Sequence, residues 1–113
     1  MTTKTRAQLV NEAADCLEIV PTGNSLAAED GAKIDEKVDS LLERLAADEV
    51  VDIADANEIP ACYFDALGEL LANNCATKFG KKYSEEVKTV FERQLRRTVA
   101  PRATLEVLRT EYF

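Results

Sequence analysis

Histidine and tryptophan are absent from this 113-residue chain, and cysteine (3), proline (3), glycine (4) and methionine (1) are sparse. Without histidine the commonest general acid–base, the commonest metal ligand and the usual activator of Ser and Cys nucleophiles are all missing. Few glycines and prolines leave little material for long irregular loops, and no Gly-rich phosphate loop is present. No apolar run approaches a membrane span, and the opening MTTKTRAQ lacks the apolar core of a signal peptide. The chain is therefore expected to stay in the cytoplasm where it is made, or to leave it as part of something larger. The three cysteines, Cys16, Cys62 and Cys75, match no metal or redox spacing and read as buried, reduced, core-filling thiols. These absences predict a protein that is not an enzyme, uses no cofactor or metal, and acts by binding other proteins.

Hydrophobic residues at 46% and charged residues at 31% give the balance of a single globular domain, not of a disordered chain. The net charge of −7 opposes nucleic-acid binding by the molecule as a whole. It is unevenly placed. Residues 1–77 hold 5 Lys+Arg against 16 Asp+Glu, a net of −11, while residues 78–113 hold 9 against 5, a net of +4. A chain divided in this way can attract copies of itself, acidic face to basic face.

Helical periodicity dominates. Thr5 with Gln8 forms a capping box opening a helix over 6–18, with Leu9, Val10, Ala13, Cys16 and Leu17 on one face. Pro21 and Thr22-Gly23-Asn24 mark a turn. A second helix is predicted from about Ser25–Ala28 to Ala47, with Ile34, Val38, Leu41, Leu42 and Leu45 as its stripe and Glu29–Lys33 as an i,i+4 pair. Residues 48–59 lose the period. Val50, Val51 and Ile53 suggest a short extended piece, and Asp52–Asn57 suggest a turn. Pro60 opens a third helix, which Gly80 closes. Ser84 opens a fourth, with Val87, Val90, Phe91, Gln94, Leu95 and Val99 inward, Lys88 and Glu92 outward, and Pro101 as its stop. The expected architecture is all-α: a small antiparallel bundle of about four helices over residues 1–100, then an extended, partner-docking tail over 101–113.

The chemistry-bearing clusters are weak. The acids of Asp52–Glu58 lack the alternation and the glycine of a calcium loop. Asp35, Asp39 and Glu43 recur at i,i+4 on the second helix, but the Glu-x-x-His partners of a di-metal bundle are missing. Their mutual repulsion is relieved if something basic faces them. Arg93, Arg96 and Arg97, with Lys81, Lys82, Lys88 and Arg102, form a basic face suited to an acidic partner surface, to nucleic acid or simply to water. Base-reading motifs are missing.

The layout of a capped first helix, PTGNSLAAEDGAKIDEKVDSLLERLAADEVVDI, IPACYFDALGELLANNCATKFG, a last basic helix and a C-terminal YF resembles the head–tail adaptor (head-completion or connector) proteins of tailed bacteriophages. The likeness spans nearly the whole chain. It implies a structural role in the virion neck: a dodecameric ring under the portal protein, extending and sealing the DNA channel and receiving the next tail component. It also implies that packaged DNA passes without sequence-specific binding and that the C-terminal segment docks on the portal. Leu105, Val107, Leu108, Arg109, Tyr112 and Phe113 are the expected docking residues. Asp35, Asp39 and Glu43 against Arg93, Arg96 and Arg97 are the expected subunit contact. The rival expectations are a small helical regulator of another protein, and a DNA-binding protein that uses the basic fourth helix.

Overall fold

The computed structural model describes residues 3–19 and 27–112, with side chains placed as far as Thr98. The predicted turn at Pro21–Asn24, Ser25 and Phe113 lie outside the described residues. So do the side chains of Val99, Leu105, Val107, Leu108, Arg109 and Tyr112. The element order is β1 (Thr3–Lys4), α1 (Arg6–Leu17), α2 (Ala28–Asp35), α3 (Val38–Ala47), β2 (Ile59–Pro60), α4 (Ala61–Cys75), a 3₁₀ turn (Ala76–Phe79) and α5 (Glu85–Tyr112). The fold is an all-α bundle with one short antiparallel ribbon, in which Thr3 faces Pro60 and Lys4 faces Ile59.

Helix α4 is the centre. α1, α2, α3 and α5 all contact it, and Leu67, Leu70, Leu71 and Cys75 on it are fully buried. Leu9, Ala13 and Leu17 from α1, Ile34 from α2, Val38, Leu41 and Leu45 from α3, and Leu95 from α5 complete a single core. Apolar residues at three- and four-residue spacing give each helix one such stripe, and joint burial of the stripes holds the bundle together.

The local signals act as their chemistry requires. The Thr5 hydroxyl accepts from the Gln8 amide at 3.2 Å and the Gln8 side chain accepts from the Thr5 N–H at 2.8 Å, closing the capping box. Pro60 is the N-cap of α4, and Gly80 takes the left-handed conformation, φ +74°, that ends the 3₁₀ turn. Ser84 Oγ accepts from the Val87 N–H at 3.2 Å at the start of α5.

Four features depart from expectation. The predicted second helix is broken at Glu36–Lys37. Arg6 from α1 donates to the Asp35 carbonyl at 3.0 Å, taking the acceptor that an unbroken helix offers to residue 39. Val50 and Val51 are buried without forming a strand, and the strand is Ile59–Pro60 instead.

Third, α5 is turned relative to the predicted face. Glu92 is buried, with Lys88 3.8 Å away, while Val90 is 48% exposed and Gln94 lies in solvent. At its start the helix is tied to α4 by a buried side chain. Asn73 of α4 accepts from the Ser84 N–H and donates to the Ser84 carbonyl, each at 2.9 Å.

Fourth, Pro101 does not stop α5. The backbone is helical to Tyr112 where an extended tail is expected, so the expected boundary between residues 100 and 101 falls inside a helix. A proline in a helix interior costs roughly 3 kcal/mol and leaves the Arg97 carbonyl without its donor. The residues that follow, Arg102, Ala103, Leu105, Glu106, Leu108 and Arg109, are strong helix formers and resume the helix.

Candidate functional site

The two predicted charged faces lie on α2–α3 and on α5, both resting on α4. On the acidic side, Arg6 binds two of the three predicted carboxylates. Its Nε donates to Asp35 at 2.6 Å and its Nη1 to Asp39 at 2.7 Å. The hydrogen bonds to Asp35 and then Asp39 raise the guanidinium pKa, so it stays charged at every accessible pH. Two acids and one Arg leave one negative charge at this point. The repulsion between Asp35 at the end of α2 and Asp39 at the start of α3 is thus relieved within the chain, by a residue of α1 that sequence spacing does not connect to them.

Glu43 is exposed on α3 and, with Asp39 and Asp52, edges a groove of about 390 Å³ between α3 and the segment 52–56. Leu42, Ala46 and Ile53 supply its apolar surface. Among the described residues neither Glu43 nor Asp52 takes part in an ion pair. Nearby in sequence, Nε and Nη2 of Arg44 are buried without a hydrogen-bond partner among the described residues. The predicted Glu29–Lys33 pair does not form; the Lys33 ammonium lies 5.9 Å from the centre of the Phe79 ring.

On the basic side, Arg93, Arg96 and Arg97 are exposed. Val90, Arg93 and Arg97 recur at i, i+3 and i+7, opposite the buried Glu92 and Leu95. Half-exposed Val90 therefore lies on the outer side of α5 with Arg93 and Arg97 on the turns that follow it, a feature hidden in the sequence by the expectation that it faces inward.

The cysteines separate by environment. Cys75 is buried and its pKa is raised by that burial, against opposing effects of Lys78 and Lys37. Cys16 is pushed up to about 12 by burial and by the Glu69 carboxylate, to which its thiol donates at 3.4 Å. Cys62 is exposed on the first turn of α4, contrary to the expectation that all three thiols fill the core. No thiolate-stabilising cation stands at Cys16, where the neighbouring charges are acids.

No group of three or more His, Cys, Asp and Glu side chains is placed to hold a metal among the described residues, and no described helix is long and apolar enough to cross a membrane. Comparison with family models, with characterised proteins and with solved structures gives no match to this chain. The arrangement offers two oppositely charged surfaces, each with apolar contact area, on a rigid helical body.

Proposed function

We propose that this chain is a head–tail adaptor of a tailed bacteriophage: a structural protein whose copies form a ring beneath the portal, continue the DNA channel and receive the next neck component. The observation that supports the reading is where landmarks of the resemblance fall, the Ser25–Leu45 helix excepted, which is broken at Glu36–Lys37. The Thr5 cap opens α1, Ile59-Pro60 opens α4, Gly80 closes its 3₁₀ extension, and the basic segment is α5. An adaptor of this kind needs no catalytic group, cofactor or metal. It needs a stable body with separate surfaces for its neighbours, and the acidic α2–α3 side and the basic α5 side suit that need.

The helical backbone to Tyr112 changes the proposed mode of portal docking. Leu105, Leu108 and Tyr112 recur in the sequence at i, i+3 and i+7, the spacing of an amphipathic helix laid into a groove rather than of an added strand. The test is to mix the protein with portal and image rings by negative stain, alongside a variant lacking residues 103–113. The expected result is decoration by the parent only, with both proteins melting at similar temperatures. Binding by the truncated form sinks the docking role of the tail. Failure of the parent to bind any portal, with salt-sensitive binding to free duplex DNA, favours a DNA-binding protein instead.

A further inference from the structure

We propose that the groove between α3 and the segment 52–56 receives the outer face of α5 from a second copy of this chain. The groove is lined by the apolar side chains of Leu42, Ala46 and Ile53 and by the carboxylates of Asp39, Glu43 and Asp52. Arg6 satisfies part of the Asp39 charge, while Glu43 and Asp52 are free of ion pairs among the described residues. The complement is on the same molecule. Val90 is the most exposed large hydrophobic side chain among the described residues, at 48%. Exposed Arg93 and Arg97 follow it one and two turns on along the same side of α5.

An outer helix face that carries Val90 followed by Arg93 and Arg97 matches a groove lined by apolar side chains and carboxylates. The outer face of α5 points away from α4, so it is presented to another molecule and not to its own bundle. A contact in which one surface of a copy meets a different surface of the next is heterologous, and it propagates into a closed ring or an open filament. A second copy is favoured over an unrelated basic partner because the chain's own charge division, −11 against +4, supplies both halves.

The inference deepens the adaptor reading by assigning the subunit contact, but it makes a claim of its own about self-association. Exposed ion pairs are individually weak, so the contact is expected to be salt-sensitive and to gain strength from ring closure.

Two double variants decide it, Glu43→Lys with Asp52→Lys in the groove and Arg93→Glu with Arg97→Glu on α5. All four positions are exposed, and circular dichroism checks that both variants fold. Sedimentation velocity at low ionic strength is expected to show concentration-dependent association of the parent, weakened about tenfold or more in each variant. An equal mixture of the two variants is expected to associate again, because each swapped surface meets its opposite. Molar salt is expected to dissociate the parent.

A parent that stays monomeric at low salt overturns the proposal, as do variants that associate like the parent or a mixture that does not recover. Portal binding is read separately. A chain that binds portal but fails these tests loses only this contact, and one that passes them but ignores portal loses only the adaptor role.

Discussion

Glu12 lies across Gly68. A Cβ built at Gly68 meets Glu12 Cγ at 2.6 Å, so the missing side chain on α4 is what lets α1 come close. Alanine is worth about 1 kcal/mol more than glycine in a helix interior, and the clash opposes that gain. Gly68→Ala is therefore expected to lower stability in the parent but to raise it by up to about 1 kcal/mol in a Glu12→Ala background. Denaturant melts of the four proteins of the cycle measure the coupling. The Glu12 pKa is raised, first by burial and then by Asp65, Asp15 and Glu69. A raised acid holds its proton more tightly in the folded state, so its ionisation destabilises the fold as pH rises through the folded pKa, and the effect vanishes below the ordinary carboxylate range. Glu12→Gln is thus expected to stabilise the protein at neutral pH and to make no difference in strong acid. Asn73 makes the opposite case, a buried amide with both polar groups matched to Ser84. Asn73→Ala leaves the Ser84 N–H without its partner, while the Ser84 carbonyl keeps the Lys88 N–H at 3.3 Å, and the expected loss is about 1–3 kcal/mol by denaturation.

At the scale of elements, boundaries decided by neighbouring residues were legible in the sequence, whereas boundaries decided across the fold were not. Thr5–Gln8, Pro60, Gly80 and Ser84 each act within one turn, and each stands at the predicted end of a helix. The break between α2 and α3 is where Arg6 binds Asp35, 29 residues away, and nothing in the local pattern foretells it. The same holds for the acidic stripe, whose partner on α1 has no sequence relation to it, and for the Asn73–Ser84 tie between α4 and α5. Arg6→Lys keeps the charge but loses the planar fork that reaches Asp35 and Asp39 together. It is expected to lower the melting temperature, with a smaller difference from the parent at high salt. In α5 the proline rule is locally sound, and the helix resumes because good helix formers follow. Pro101→Ala restores one N–H donor and is expected to raise helicity and to slow amide exchange on both sides of residue 101, measured by hydrogen exchange.

Across the whole molecule, Asp35, Asp39 and Glu43 lie on α2 and α3 and Arg93, Arg96 and Arg97 on α5, as their order along the chain implies. The groove was not legible, since it needs the segment 52–56 to lie beside α3. The ribbon joining Thr3–Lys4 to Ile59–Pro60, with α1 laid against α4, has a consequence for how the molecule comes into being. Helix α1 is translated well before α4, the partner it packs against. A nascent chain that has released only α1 to α3 presents Leu9, Ala13 and Leu17 without the surface that covers them, and pairing so distant in sequence slows closure of the core. A fragment ending at Ala47 is accordingly expected to show no cooperative melt, and protection of α1 amides during refolding is expected to appear together with that of α4 rather than before it.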